Sequence, residues 1–61
     1  MAGTFVIQKS SDGKYYFVLK AANGEPIAQS ETYGSKAAAM SGIESVKANA
    51  PTAPVDDQTG D

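Results

Sequence analysis

The residues that could support catalysis are few and stand in short strings. Ser11 and Lys14 match the pattern S-x-x-K, in which a serine nucleophile and a lysine share one face of a helix. Here the pattern contains Asp12-Gly13, a pair typical of a tight hairpin turn. The sequence has no histidine and no cysteine, so a nucleophile of the triad kind would lack its base. We therefore expect no enzymatic activity.

A second string, Gly34-Ser35-Lys36, stands where a helix is predicted to begin. Free backbone amides at a helix N-terminus and a nearby lysine can hold an anion. Together with Lys14 and Tyr33, Ser35 and Lys36 form a candidate site for a weakly bound anion or another ligand. The alternative is that Ser35 only caps the helix and Tyr33 only packs over the end of the sheet. The string is not a phosphate loop, because the glycine-rich lead-in is missing.

The composition argues against a metal site, a cofactor and a nucleic-acid footprint. Without cysteine or histidine, a structural zinc site has neither thiolate nor imidazole ligands. The acidic residues are scattered, and the adjacent pair Asp56 and Asp57 falls in a predicted tail, where solvation suits it better than acid–base work. The net charge is −2, whereas a nucleic-acid-binding domain carries a clustered basic face. We expect no cofactor, and nucleic acid is disfavoured as a partner.

One helix is predicted, and it begins after Ser35, a natural N-cap residue. At about 100° per residue, an apolar stripe forms on one face. Its members are Ala39, Met40, Ile43, Val46 and Ala50. Pro51 disfavours helical backbone angles at the residue before it, so we expect the helix to end near Ala48 to Asn49. Gly42 destabilises a helix by about 1 kcal/mol relative to alanine, which indicates close approach of the helix backbone to a neighbouring sheet or subunit. A functional hinge is the alternative.

Three β-strands are predicted before the helix. Alternation of side chains predicts strands over Thr4–Lys9 and Tyr15–Lys20. A shorter strand is predicted at Pro26 to Ser30, where the proline belongs at a strand start or edge. The pairs Asp12-Gly13 and Asn23-Gly24 predict hairpin turns between these strands.

These elements predict an α+β fold of the order β-β-β-α. It is a three-stranded antiparallel meander with the C-terminal helix packed on one face. We expect a single domain over residues 1–51 and a loosely ordered tail over residues 52–61. The predicted helix-facing core consists of Phe5, Ile7, Tyr15, Phe17, Leu19 and Ile27, closed by Ala39, Met40, Ile43 and Val46.

The opposite face of the predicted sheet carries Val6, Tyr16 and Val18, with nothing in the chain to cover them. A cluster of apolar residues on an open sheet suggests a partner surface, and unpaired strand edges also invite association. A chain of 61 residues lies at the margin of independent stability, and it has no disulfide to support it. We therefore expect a homodimer, formed by face packing, by strand-edge extension or by exchange of an element.

No stretch of the sequence predicts a membrane location. The longest apolar runs fall well short of the length that spans a bilayer. The start, Met1-Ala2-Gly3-Thr4, lacks the basic residues and apolar core of a signal peptide. We expect no membrane partner and a cytoplasmic protein.

A family resemblance appears in three stretches: Asp12 to Tyr15, Leu19 to Glu25, and above all Tyr33 to Val55. Over nearly its whole length the chain resembles the YegP-like family of small bacterial proteins, a family of unknown function. The string SKAAAMSGIESVKANAPTAPVDD resembles the most diagnostic segment of the family. The resemblance implies a β-β-β-α unit, found singly or as a tandem pair, with single units pairing as homodimers. It departs at Tyr16 and Val18, where the family more often has charged residues, and it implies no established activity.

Two functions of different classes remain open at this point. The first is a small non-enzymatic interaction or structural module, a homodimer that recruits a further, unknown protein through a sheet edge or through Tyr16 and its neighbours. The second is a binder of a small anionic ligand or nucleic acid at the dimer junction, which would use Lys14, Tyr33, Ser35 and Lys36.

Overall fold

The computed structural model describes residues 3–61 and contains three strands followed by one helix. The strands are β1 (Thr4–Lys9), β2 (Tyr15–Lys20) and β3 (Pro26–Gln29), and the helix is α1 (Lys36–Asn49). The strands form one sheet in the order β1-β2-β3, with both pairs antiparallel. The predicted α+β fold of three antiparallel strands and a C-terminal helix is confirmed.

The two hairpins use the same kind of turn. In the first, the Ser10 N–H donates to the Lys14 carbonyl at 2.7 Å, and in the second the Ala21 N–H donates to the Glu25 carbonyl at 2.8 Å. Each turn contains one glycine in the left-handed region, Gly13 at φ +86° and Gly24 at φ +87°. Residues with a Cβ atom rarely adopt this conformation, which explains why a glycine follows the Asp or Asn in each turn.

The pairing of β1 with β2 sorts their side chains onto two faces, as predicted. Phe5 lies opposite Leu19 and Ile7 opposite Phe17, which places these four residues on the face towards the helix. The rings of Phe5 and Phe17 meet edge to face, with their centroids 5.9 Å apart. Phe17 is buried, and Phe5, Ile7 and Leu19 are half-buried.

Ile27 does not belong to the core, contrary to the sequence prediction. Leu19 pairs with Ala28, but the next residue of β2, Lys20, pairs with Pro26, so the register shifts and Ile27 is left between two paired residues. A bulge of this kind breaks the alternation of side chains from which the prediction was made. The Ile27 side chain is 62% exposed.

The helix lies over β2, the central strand. It ends at Asn49, as predicted, and the Ala50 N–H donates to the Val46 carbonyl at 2.8 Å. Ala39 and Ile43 are buried against the sheet, and Val46 is half-buried. Met40 is 47% exposed, so its predicted place in the core is wrong. A three-stranded sheet covers only a narrow stripe of the helix, and this stripe does not extend to Met40.

After the helix, the described residues form no further helix or strand. The Ala53 N–H donates to the Asn49 carbonyl at 3.0 Å, and every residue from Pro51 onward is exposed. Within this segment the Thr59 hydroxyl donates to the Asp57 carboxylate at 2.7 Å, which lowers the pKa of Asp57. Among residues 3–61, no helix is long and apolar enough to cross a membrane.

Candidate functional site

The first hairpin turn fixes the position of the S-x-x-K string. The Ser10 hydroxyl donates to the Asp12 carboxylate, and the Lys14 N–H donates to the Ser10 Oγ at 3.1 Å. The hydrogen bond from Ser10 lowers the pKa of Asp12. Ser11 and Lys14 are exposed in this turn and are not on a helix. The prediction that this string belongs to a hairpin turn is confirmed.

The start of α1 confirms Ser35 as the N-cap residue. Its Oγ accepts a hydrogen bond from the Ala38 N–H at 3.1 Å, and its backbone is extended at φ −145° and ψ 158°. One of the helix's free amides is therefore already satisfied by the protein itself. Lys36, the first helical residue, is exposed.

Tyr33 joins the chain before the helix to the start of β2. The Tyr33 N–H donates to the Tyr15 carbonyl at 2.6 Å, and the Tyr15 N–H donates to the Tyr33 carbonyl at 2.9 Å. Between this pair and β3, the Phe17 N–H donates to the Ser30 Oγ at 2.9 Å and the Ser30 N–H donates to the Phe17 carbonyl at the same distance. The Tyr33 ring stacks on that of Phe17, with centroids 6.2 Å apart and planes 12° from parallel. Tyr33 therefore packs over the end of the sheet.

Gly42 has no side chain, and this leaves space for the stacked rings of Tyr33 and Phe17. The predicted close approach of the helix backbone is confirmed. An ideal Cβ atom on Gly42 would lie 2.6 Å from the Tyr33 hydroxyl oxygen and 3.1 Å from Phe17 Cε2. The side chains of the sheet and of the connecting segment thus occupy the space that a larger residue would need.

Lys9 is a further basic residue near this end of the sheet, and it is not among the predicted site residues. Its Nζ lies 5.6 Å from the centroid of the Tyr15 ring, within the range of a cation–π contact. The register that places Lys9 opposite Tyr15 could have predicted this contact, because opposed residues of an antiparallel pair share a face.

The four residues of the predicted anion or ligand site come to one end of the sheet. Lys14 precedes Tyr15, which pairs with Tyr33, and Ser35 and Lys36 follow two and three residues after Tyr33. No cavity is found in the described part of the chain, and the Ser35 hydroxyl is held by the helix. Residues 3–61 also contain no group of His, Cys, Asp and Glu that could hold a metal ion. Anion binding at these residues stays a prediction.

The outer face of the sheet holds the three residues predicted as a dimer interface. Val6 lies opposite Val18, and Tyr16 lies opposite Gln8, with the Tyr16 hydroxyl donating to Gln8 Oε1 at 2.6 Å. Val18 is only 8% exposed in the single chain, because it sits in the middle of the central strand. It is thus less available than the sequence suggested, whereas Val6 and Tyr16 are half-buried. Their role as an interface remains untested.

Most of the chain, including the segments described above, resembles known proteins. Residues 10–57 match the family described as domain of unknown function DUF1508. The chain belongs to this family. The DUF1508 match begins in the first hairpin turn and ends eight residues after α1, so it includes the turn, the Tyr33 connection and Gly42.

Individual relatives agree with this assignment. The UPF0339 protein of Treponema denticola is 58% identical over 55 residues, which are 90% of this chain and 95% of that protein. The UPF0339 protein YegP of Escherichia coli K12 is 57% identical over 51 residues, which are 84% of this chain but 46% of YegP. The DUF1508 chain therefore spans about half the length of the YegP relatives that it matches.

A solved structure shows the same fold. The NMR solution structure of a protein from Haloferax volcanii matches with a TM-score of 0.84 and 40% identity, covering 92% of this chain and 95% of that one. The names of these relatives state no activity, so the function of the DUF1508 chain is argued from its own surface.

Proposed function

We propose that this protein is a small non-enzymatic interaction or structural module that acts as a homodimer, joined through the free edge of β1. The difference between the two free edges of the sheet carries this proposal. β3 has four residues, starts at Pro26 and is bulged at Ile27, and each of these features discourages edge pairing. β1 has six residues, contains no proline and pairs with β2 without a register shift.

The backbone of β1 can offer hydrogen bonds outward. In β2, Tyr15 and Phe17 direct their backbone groups towards Tyr33 and Ser30, on the β3 side. Backbone groups alternate in direction along a strand, so Tyr16 and Val18 bond to β1. Their partners there are Gln8 and Val6, which leaves the N–H and C=O groups of Phe5 and Ile7 directed away from the sheet. A strand can add to β1 through these groups.

The side chains of β1 select one register for this addition. With Val6 on a twofold axis, Phe5 of one protomer lies opposite Ile7 of the partner subunit, and each apolar residue faces another on the helix side. A shift by two residues would set Phe5 opposite Lys9 of the partner subunit in one direction, and Ile7 opposite Gly3 of the partner subunit in the other, so an apolar residue would lose its apolar partner. Phe5 and Ile7 are only half-buried in the single chain, so the favoured register would cover apolar surface as well as unpaired backbone.

The size of the core supports association. The buried apolar residues in the described part of the chain are Phe17, Val18, Ala39 and Ile43. The accessible surface is 4669 Å², whereas a compact monomer of 6.3 kDa exposes about 3,700 Å². The exposed segment after the helix supplies part of this difference. A standard interface buries about 800 Å² per partner, so a dimer would bring the chain close to the surface of a compact protein.

The non-enzymatic part of the proposal is supported by how the candidate residues are used. The Ser35 hydroxyl caps the helix, and the Ser10 hydroxyl braces the first hairpin turn. Ser11 and Lys14 lie exposed in that turn and not on the helix that S-x-x-K chemistry requires.

Sedimentation equilibrium across a tenfold range of concentration tests the proposal. The chain is short enough for chemical synthesis, so a variant with N-methylated Ile7 can remove one outward donor of β1 and leave every side chain unchanged. The matched control carries the methyl group on Gln29, whose N–H lies on the free side of β3. We expect a dimer for the parent and the control, and at least tenfold weaker association for the Ile7 variant.

Other outcomes separate the parts of the proposal. If the parent sediments as a monomer at micromolar concentration, the proposal of a homodimer is wrong. If both methylated chains remain dimeric, the β1 edge is excluded as the interface, and face packing or exchange of an element remains. The variant Tyr16→Glu then tests the outer face as the interface. Val18→Glu is not suitable for this test, because Val18 is buried and a charge there would unfold the chain.

The proposal also includes the cytoplasmic location expected from the sequence. Cell fractionation followed by detection with a specific antibody tests this part. Recovery of the protein from the membrane or extracellular fraction would contradict it.

A further inference from the structure

We propose that Asn23, in the second hairpin turn, is a site of spontaneous deamidation and isomerisation to isoaspartate. Asn23 is exposed and is followed by Gly24, which is also exposed. The chain has one other asparagine, Asn49, which lies at the end of α1 and is followed by Ala50. The two residues therefore form an internal comparison within one molecule.

The reaction needs only the chain and water. The backbone nitrogen of Gly24, after losing its proton to solvent base, attacks Cγ of Asn23 and closes a five-membered succinimide ring. The Cγ–Nδ2 bond breaks, and the side-chain NH2 group takes a proton from solvent and leaves as ammonia. Water then opens the ring at one of its two carbonyls and yields either aspartate or isoaspartate, with no oxidation or reduction. Gly24 has no Cβ atom, so its nitrogen can approach Cγ without steric hindrance.

Hydrogen bonds of the turn hold the Asn23 side chain and the Gly24 N–H, and they control the rate. The Glu25 N–H donates to Asn23 Oδ1 at 3.1 Å, which folds the side chain back over the Gly24 peptide and polarises the carbonyl that is attacked. The Gly24 N–H donates to the Ala21 carbonyl at 2.9 Å, so the nucleophile is released only when the turn opens locally. We therefore expect the reaction in the folded protein to be slower than in the unfolded chain.

Asn49 is protected by its surroundings. Its side-chain Nδ2 donates to the Ser45 carbonyl at 2.8 Å, and the Ala50 N–H donates to the Val46 carbonyl at 2.8 Å. Both the leaving group and the nucleophile are thus held by helical hydrogen bonds. Ala50 also carries a Cβ atom beside the nitrogen that would have to attack.

The two products would affect the hairpin differently. Aspartate at position 23 reproduces the first turn, where Asp12 precedes Gly13 with the same left-handed glycine. Isoaspartate inserts one methylene group into the main chain and changes the ring closed by the Ala21 N–H and the Glu25 carbonyl. The isoaspartate form therefore loosens β3, which leads the chain to the Tyr33 junction.

The experiment follows both asparagines over time in the full chain. The protein is incubated at mildly alkaline pH with and without urea, digested under acidic conditions and analysed by mass spectrometry. Isoaspartyl methyltransferase labelling identifies the isomerised residue, and the Asn23→Gln variant serves as the matched control. We expect conversion at Asn23, faster in urea, with Asn49 intact in the folded protein and no labelling of the peptide that contains residue 23 in Asn23→Gln.

Two results would overturn the proposal. The first is an intact Asn23 in the folded protein after the urea sample has reacted fully. The second is conversion of Asn49 in the folded protein at the rate of Asn23, because the turn would then have no selective effect. The variant Asn23→Asp should retain the parent's midpoint of urea unfolding, as the first turn implies. A clear loss of stability in Asn23→Asp would contradict the different effects assigned to the two products.

Discussion

The hydroxyl group of Tyr33 stands where a side chain on residue 42 would begin. An ideal Cβ atom on Gly42 would lie 2.6 Å from the Tyr33 oxygen and 3.0 Å from its Cζ. Tyr33 cannot simply turn away, because its ring is stacked on Phe17 and its backbone is paired with Tyr15. The glycine that weakens the helix is therefore required by the packing of the connecting segment.

Replacing Gly42 with alanine should lower the free energy of unfolding by about 1 kcal/mol. Helix propensity alone would raise it by about 1 kcal/mol, but overpacking a filled site costs about 1–3 kcal/mol. Urea unfolding followed by circular dichroism, at equal protein concentration for all variants, measures the difference. An increase in stability of about the propensity value would show that the Tyr33 ring moves freely.

A double-mutant cycle tests the cause of this loss. Tyr33→Phe removes the oxygen nearest to the added Cβ atom but retains the ring on Phe17. The Gly42→Ala penalty should therefore be smaller in the Tyr33→Phe background. An equal penalty in both backgrounds would assign the clash to ring carbons instead, namely Cζ of residue 33 and Cε2 of Phe17.

Replacing Ser35 with alanine should lower the free energy of unfolding by about 1 kcal/mol, because the Ala38 N–H then loses its acceptor. Ser35→Asp should retain most of the stability, since its carboxylate can accept the same bond. Ser41→Ala is the matched control, because Ser41 is exposed within the same helix. Thermal unfolding measures all three, and an equal effect of the two alanine variants would contradict the capping role.

The bounds of the elements could be read from the sequence because they depend on local chemistry. Alternation of side chains sets the ends of β1 and β2, and the hydroxyl of Ser35 sets the start of the helix. The pairs Asp-Gly and Asn-Gly predict the two turns, because glycine adopts the left-handed backbone angle that each turn needs. Each of these signals operates within a few residues.

The wrong assignments concern contacts between distant parts of the chain. Ile27 lies outside the core because of a bulge opposite Leu19 and Lys20. No local sequence pattern indicates this shift of register. Met40 is exposed because the helix lies along one strand of a narrow sheet. Val18 lies on the outer face, as predicted, but its central position buries it instead of leaving it uncovered.

That the candidate residues lie near one another could be predicted from the sequence, but the hydrogen bonds around them could not. Tyr33, Ser35 and Lys36 are near one another in sequence, and the Tyr15–Tyr33 pair brings the first hairpin to them. The use of the Ser30 hydroxyl as the acceptor for the Phe17 N–H could not be foreseen, because it replaces a backbone bond at an irregular point of the sheet.

The carboxyl group of Asp12 should titrate below its ordinary value of 3.8, because the Ser10 hydroxyl donates to it and lowers its pKa. A carboxylate with a lowered pKa in the folded state stabilises the fold fully above the unfolded pKa. That contribution is lost as the pH falls through the folded pKa. Carbon-detected NMR titration should show the Asp12 pKa rising in Ser10→Ala. An unchanged value in that variant would assign the shift to the turn backbone.

Deleting residues 54–61 should change the free energy of unfolding by less than about 0.5 kcal/mol, the range typical of exposed positions without specific contacts. The last backbone contact with the helix comes from the Ala53 N–H, and Val55 is 95% exposed. Deletion from Ala50 onward is the comparison, because it also removes the hydrogen bonds that Ala50 and Ala53 donate to the helix end. Urea unfolding and sedimentation of both truncated chains give the measurement. The DUF1508 match extends to residue 57, so a loss of dimer on the shorter deletion would show that this segment packs on the partner subunit.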